Sequence, residues 1–329
     1  MNIAEIAKMA GVSSAAVSRY FNDGYISEEK REAIRRVVDE TGYRPLAQAQ
    51  MLRTKKTKMI GVVVPKIASA SIGRVVEGIL SVLNESGYQM LLAVTQNDPK
   101  KELEYLSAFR EKQVDGVVLV ATIFTAQHKQ MLKNLSVPVV IVGQYLSGYC
   151  CVFHDDYHAS YDLTKLFLDK GRKKLGYIGA IQQDKAVGAE RYRGFCDAVR
   201  DSGLDELTQN YVTAAFTVAS GYEKAGELLD RCGGLDGLIC ATDTMAAGAM
   251  QYLKEHGRKV PAEILVAGQG DSEMAKVTSP ALITVHYSYE QSGELAVQML
   301  LELLSREQSA VREVKLGYYI VDPDERSDQ

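Results

Sequence analysis

The chain has 329 residues, enough for two or three folding units, and 46% of them are hydrophobic, enough to bury sizeable cores. Its longest apolar runs, Met59 to Pro65 and Val114 to Thr122, fall well short of the roughly 18–20 residues a bilayer helix needs, so neither a transmembrane helix nor a membrane partner is expected. Five cysteines without a C-x-x-C spacing read as reduced structural thiols, and five scattered histidines, of which only His154 and His158 stand four apart, give no expectation of a metal.

The start, Met1-Asn2-Ile3-Ala4-Glu5, has neither a basic leader nor an apolar stretch, and a cytoplasmic location is expected. The net charge of −4 argues by itself against nucleic acid, but it is unevenly spread. Residues 1 to 58 carry eleven Lys and Arg against seven Asp and Glu, a net of +4, which leaves −8 on the remainder. A basic head on an acidic body is the footprint of a local polyanion contact, because phosphate affinity depends on nearby charge.

In the head, Ile3, Ile6, Ala7 and Ala10 make one apolar helix face, and Gly11 can take the left-handed conformation that ends it. Ser13 caps a second helix, about Ser14 to Phe21, which buries Val17 and Phe21 and leaves Ser14, Ala15, Ser18 and Arg19 on other faces. Asn22-Asp23-Gly24 makes a turn. A third helix starts at Ser27 with Glu28 and Glu29 in its first turn, buries Ile34, Val37 and Val38, and stops near Gly42. Apolar spacing alone leaves open a three-helix packing domain with no partner; the basic excess points to DNA.

The wording Ile3-Ala4-Glu5-Ile6-Ala7-Lys8-Met9-Ala10-Gly11-Val12-Ser13, then Ala16-Val17-Ser18-Arg19, Asn22 and Gly42-Tyr43-Arg44-Pro45, resembles the lactose-repressor/galactose-repressor family of transcription regulators. The resemblance implies a helix-turn-helix domain over 1–44, whose second helix enters the major groove with Ser14 and Ala15 at base-reading positions and with Ala16, Ser18, Arg19 and Asn22 alongside. Where the family usually has Thr, this chain has Ala16, so one backbone contact is in doubt. The segment 45–58 then holds a hinge helix, Leu46 to Leu52, that includes Ala49 and is expected to fold only when paired on DNA. Leu52 matches a leucine that wedges into the minor groove, although an ordinary linker leucine would look the same. Arg53, Lys55, Lys56 and Lys58 add phosphate attraction or merely solvate the linker.

From 59 to 329, short apolar runs alternate with amphipathic stretches, as expected for mainly parallel sheets with helices on both faces. Strands are predicted at Ile60 to Val64, Gln89 to Val94, Gly116 to Val120, Val137 to Val142, Cys151 to Phe153, Leu175 to Ile178, Gly237 to Cys240 and Leu265 to Ala267. Helices are predicted at Ile72 to Ser86, Lys100 to Lys112, Tyr157 to Lys170, Ala189 to Ser202, Ala219 to Arg231, Met245 to His256 and Tyr289 to Ser305. The fold class is thus a small all-α head plus an α/β body of two doubly wound subdomains, which resembles periplasmic sugar-binding proteins and implies both effector binding and dimerisation.

Ligands of open parallel sheets bind beyond the carboxyl ends of strands. Candidates there are Ser69, Ser71, Arg191, Thr242, Asp243, Asp271 and Tyr287, which match the family's effector pocket, where carboxylates and a guanidinium hold sugar hydroxyls and an aromatic ring covers a sugar face. The alternatives are that Asp243 caps a helix and that Asp271 holds a turn; in Gly268-Gln269-Gly270-Asp271 only the second of two acids common in relatives is present. Ser69 and Ser71 at a helix start, near Lys66 and Arg74, suit an anionic group such as a sugar phosphate.

No P-loop, H-E-x-x-H or G-x-S-x-G occurs, so no enzyme and no cofactor are expected. The expectation is a homodimeric repressor that binds double-stranded operator DNA and is released by a sugar or sugar phosphate; the alternative needs a corepressor, a purine-like ligand or a phosphorylated partner protein, to bind DNA. The ending from Asp322 to Gln329 has no apolar heptads, so a coiled-coil tetramer is not expected.

Overall fold

The computed structural model describes residues 1–22, 24–43, 56–111, 114–305 and 310–324. The chain divides into two compact units, Met1–Thr57 and Lys58–Gln329. The expected hinge helix with Ala49 and Leu52 lies outside the described residues, as do Asp23, Arg44, Pro45, Arg53, Lys55 and the tail from 325.

Three helices form the described part of the head: α1 (Ile3–Met9), α2 (Ser14–Tyr20) and α3 (Glu28–Thr41). Asn2 and Glu5 close a capping box on α1, the Asn2 Oδ1 accepting from the Ala4 and Glu5 amides at 2.9 and 3.0 Å and Glu5 Oε2 accepting from the Asn2 amide at 2.9 Å. Gly11 at φ +66° ends the first turn-and-helix segment, Ser13 Oγ caps α2 through the Ala16 amide at 3.2 Å, and Gly42 at φ +63° ends α3. Ile6, Val17 and Ile34 are fully buried and pack with Ala7, Ala16, Ile26 and Val37. Phe21 is only half-buried, since it follows α2 as its C-cap and rests edge-on against Tyr43.

In the body, the first lobe begins with β1 (Met59–Val64), α4 (Ala70–Glu85), β2 (Gln89–Val94), α5 (Pro99–Glu111), β3 (Gly116–Val120), α6 (Ala126–Asn134), β4 (Val139–Val142) and β5 (Cys150–His154). The chain crosses into a second lobe of α7 (Asp156–Asp169), β6 (Leu175–Gly179), a π-helical turn (Lys185–Glu190), α8 (Arg191–Asp201), β7 (Tyr211–Thr213), α9 (Val218–Cys232), β8 (Gly237–Cys240), α10 (Asp243–Glu255), β9 (Leu265–Ala267), α11 (Glu273–Val277) and β10 (Thr284–Tyr287). It then returns through α12 (Tyr289–Ser305) and β11 (Glu313–Leu316) and crosses once more to β12 (Tyr318–Val321).

The first sheet runs β11-β5-β4-β3-β1-β2 and the second β7-β6-β8-β9, with every neighbouring pair parallel; β10 and β12 form an antiparallel pair. Residues of one parity on the first sheet, such as Val62, Val118 and Val140, pack with α4 and α12, while those of the other parity, such as Val63, Val117 and Ile141, pack with α5 and α6. Burial on both faces is why these strands read as unbroken Val/Ile/Leu runs. The second lobe has its own core around Phe167, Tyr177 and Phe195.

Three crossings therefore join the lobes, at Asp155, Ser288 and Gly317. Two of them are tied together: the Asp155 amide donates to the Leu316 carbonyl at 3.0 Å, and Lys315 Nζ reaches Asp155 Oδ2 at 3.0 Å. Strands β7, β10, β11 and β12 and helices α6 and α11 have no counterpart in the predicted elements, and the helix expected from Ala189 becomes α-helical only at Arg191, after the π turn. Among the described residues no helix is long and apolar enough to cross a membrane.

Candidate functional site

On the head, the residues singled out on α2 separate by burial. Ser14, Ala15, Arg19 and Asn22 are exposed and Ser18 is half-buried, its carbonyl accepting from the Asn22 side-chain amide. Ala16, grouped with the DNA-facing residues from sequence, has its methyl in the head core at 7% exposure and its amide on Ser13, so it has no group free to reach DNA.

In the body, a cavity of ≈ 230 Å³ lies between the lobes at the carboxyl ends of both sheets. Ser69, Ser71, Arg191, Thr242 and Asp243 line it. Ser69 precedes α4 without capping it, and its hydroxyl instead meets that of Ser71 at 3.1 Å. Arg191 is 3% exposed and held from three sides: Nε donates to Asp156 Oδ1 at 2.7 Å, Nη1 donates to the Ala241 carbonyl at 2.6 Å, and the guanidinium carbon sits 4.6 Å from the centre of the Tyr287 ring. The remaining donors of a five-donor fork are thereby aimed by the fold.

Thr242 is the N-cap of α10, its side chain accepting from the Met245 amide at 3.3 Å. Asp243 is not the cap but the first helical residue. Its Oδ1 accepts from Thr284 Oγ1 at 2.5 Å and its Oδ2 from the Ser272 amide at 2.8 Å, stitching α10 to the loop after β9 and to β10. Burial raises the pKa of its carboxyl. Gly268 permits this closeness, since a Cβ there would lie 2.5 Å from Asp243 Oδ1.

Two expected residues do not line the cavity. Tyr287 is fully buried behind Arg191, with its hydroxyl on Gln269 Oε1 at 2.8 Å, so its ring supports the guanidinium rather than covering a ligand. Asp271 takes φ +44° and turns away, its Oδ2 lying 2.8 Å from His286 Nδ1, which is the turn-holding role. Sequence reasoning passed over Gln144, His154, Asp184, Gln269 and Tyr289, all of which line the cavity. Gln144, His154 and Gln269 obey the same rule of position, since each ends or follows a strand; Asp184 caps the π turn and had no sequence signal.

The cavity wall is bridged from lobe to lobe. Gln144 Nε2 donates to Asp184 Oδ1 at 2.8 Å, with both side chains buried, and Arg74 Nη2 donates to the Gly270 carbonyl. Burial pushes the Asp184 carboxyl up to about 6. Lys66 Nζ lies 5.9 Å from the Phe216 ring centre, and the Arg74 guanidinium 4.9 Å from that of Tyr289.

A three-helix head joined to a two-lobed body with a cleft at its strand ends defines a DNA-binding transcription regulator that senses a small ligand, not an enzyme. Residues 2–45 match the bacterial regulatory proteins of the lacI family, and residues 164–322 match a periplasmic binding protein-like domain. The chain is 31% identical over 310 residues to the sucrose operon repressor of Staphylococcus xylosus, covering 93% of this chain and 94% of that one. It is 29% identical over 307 residues to the repressor PurR of Mannheimia succiniciproducens, covering 92% of each. Among solved structures, the lac repressor dimer bound to operator and the anti-inducer ONPF shares the fold at a TM-score of 0.90 and 20% identity over 98% of both chains. A complex of the regulator CelR with cellobiose matches at a TM-score of 0.75 and 26% identity, also over 98% of both. The chain belongs to the LacI family of transcriptional regulators.

Proposed function

We propose that this protein is a homodimeric repressor, acting in the cytoplasm, that leaves its operator when a sugar or sugar phosphate enters the cavity between the lobes. The observation that carries this reading is the cavity itself: polar groups reach it from both lobes, and only three crossings join those lobes. A ligand touching both sides favours one relative orientation of the lobes, and it shifts the equilibrium by its difference in affinity for the two arrangements. The sucrose operon repressor and the cellobiose complex among the relatives support a saccharide.

On DNA, the exposed Ser14, Ala15, Arg19 and Asn22 and the half-buried Ser18 of α2 and its end are the residues that would face the major groove, with Ala49 and Leu52 in the hinge segment between paired half-sites. Two heads on a two-fold axis match a pseudopalindromic operator. Ser69, Ser71, Arg191, Thr242 and Asp243 would hold the effector, while Asp271 and Tyr287 would act behind them.

The test is a thermal-shift screen of the full chain with free and phosphorylated saccharides and purines, followed by operator binding with and without each hit. A saccharide that stabilises the protein and weakens operator binding supports release. A ligand that strengthens operator binding overturns it in favour of a corepressor.

A further inference from the structure

Asp184 accepts two hydrogen bonds on one carboxyl oxygen, and one of them comes from the other lobe. The Val187 amide donates to Oδ1 at 3.1 Å, which caps the π turn leading into Arg191, and Gln144 Nε2 donates to the same oxygen at 2.8 Å. Gln144 follows β4 of the first lobe, and its Nε2 also donates to the Thr122 carbonyl after β3 at 3.0 Å, so the amide is anchored in its own lobe before it reaches across. Both side chains line the space between the lobes, yet Gln144 is 4% and Asp184 5% exposed. Part of the cover over the Asp184 carboxyl is therefore the opposite lobe, and parting the lobes lets water reach it.

A carboxyl covered by an interlobe contact couples that contact to protons. Burial pushes Asp184 up to about 6 from its ordinary 3.8; Asp156 of α7 adds to the rise, while the Val187 amide, Gln144 and Arg191 of α8 oppose it. Lys66, His154 and Asp243 are further ionisable groups around the same space. When neutral, the carboxyl keeps its carbonyl oxygen for Gln144 and Val187 and carries its proton on the other oxygen, so both bonds survive. When ionised it keeps the same bonds, but it holds a charge away from water and gains by being hydrated. The joined lobes therefore bind this proton more tightly than parted lobes do, and acid favours joining.

We infer that Gln144 and Asp184 form a proton-sensitive latch: their bond holds the lobes together while the Asp184 carboxyl is protonated, and ionisation of that carboxyl favours parting, with no ligand required. The bond from Arg74 to the Gly270 carbonyl also spans the lobes, but it contains no carboxyl and is the proton-independent tie. The latch sits at the head of the π turn, so its state passes directly to Arg191, six residues of turn further on. Two arrangements that differ in proton affinity at one group shift in population with pH by that difference alone.

The chain has no tryptophan, and Phe216 of the second lobe has Lys66 Nζ of the first 5.9 Å from its ring centre, so Phe216→Trp places one fluorescent reporter between the lobes. Its emission in the full chain is followed against pH with neither ligand nor DNA, and thermal unfolding of each variant confirms that it is folded. From pH 5 to pH 7 the ratio of parted to joined lobes rises about tenfold, read as a red shift that levels off above about pH 7. Asp184→Asn in this background keeps an oxygen for Gln144 and Val187 and cannot ionise, so it abolishes the response and holds the acid-form emission throughout. Gln144→Ala removes the tie and shifts the emission to the red at pH 7. A parent whose emission is the same at pH 5 and pH 7, a response that persists in Asp184→Asn, or a Gln144→Ala variant that emits at pH 7 like the parent overturns the inference. Since neither ligand nor operator takes part, failure of the release model leaves this result untouched.

Discussion

Arg191 Nε donates to Asp156 Oδ1 across 2.7 Å, and neither side chain is more than 5% exposed. The bond joins the first residue of α8 to the first residue of α7, immediately after the chain has entered the second lobe. Removing one member of such a pair leaves a charge in a site that cannot solvate it, at a cost of about 3–5 kcal/mol. Arg191→Ala should therefore lose stability of that order in urea denaturation and lose saccharide binding as well. Asp156→Asn keeps an acceptor for Nε and should cost clearly less. Equal losses in the two variants would mean that the guanidinium does not depend on this partner.

A second buried pair behaves differently. His128 Nε2 lies 3.4 Å from Glu102 Oε1, with both residues almost fully buried between α5 and α6. A charged pair would depress the carboxyl and raise the imidazole. Burial drives each the other way, pushing Glu102 up to about 7 and lowering His128, so it disfavours the charged form of both. The folded state then holds the Glu102 proton more tightly than the unfolded chain does. This contribution is whole below the ordinary value of 4.5 and is lost as pH rises to about 7. Glu102→Gln removes the titration, and from pH 5 to pH 8 the variant should gain on the parent by on the order of 3 kcal/mol. A difference that stays flat over that range would show a charged pair instead.

Much of this body was legible because its strands are buried on both faces: Val117 to Val120 and Val139 to Val142 can be nothing but strands at their length and with their neighbours. Glu313–Leu316 and Tyr318–Val321 were not, since their alternating or half-exposed patterns become strands only through pairing with β5 and β10. The six-residue π turn leaves no periodic signature at all. At the site, the rule that ligands sit beyond strand ends found Ser69, Thr242 and Asp243, but it cannot say which way a side chain turns. Asp271 turns away on a left-handed backbone, and Tyr287 points under Arg191. The partnership of Asp156 with Arg191 spans 35 positions and exists only in the fold.

Helices α4 and α12 approach so closely that the backbone of one fills the space beside the other. A Cβ on Gly78 would lie 2.0 Å from the Glu290 carbonyl oxygen, and one on Gly293 2.1 Å from that of Val75. Gly78→Ala must therefore push the helices apart, and overpacking of this kind costs about 1–3 kcal/mol. Gly73 lies on the same helix with nothing within 4 Å of its added carbon. There the greater helix propensity of alanine acts alone, and Gly73→Ala should stabilise by about 0.5–1 kcal/mol. Thermal unfolding of the two variants separates contact from propensity, and loss of stability in both would refute the close-packing explanation.

The head draws its stability from a core of its own, with Ile6, Val17 and Ile34 at its centre. Units of about this size bury a smaller fraction of their surface than larger domains do and are marginal. Ile34→Ala removes three carbons from a fully enclosed site, at a typical cost of 2–5 kcal/mol, which is comparable with all the stability such a head has. Operator binding should therefore be lost at 37 °C, because the exposed face of α2 exists only while Val17 behind it is packed. The cavity lies wholly in the other unit, so any saccharide that raises the melting temperature of the parent should raise that of Ile34→Ala by the same amount. Loss of that shift together with DNA binding would mean that the body requires a folded head, and that the two units do not fold independently.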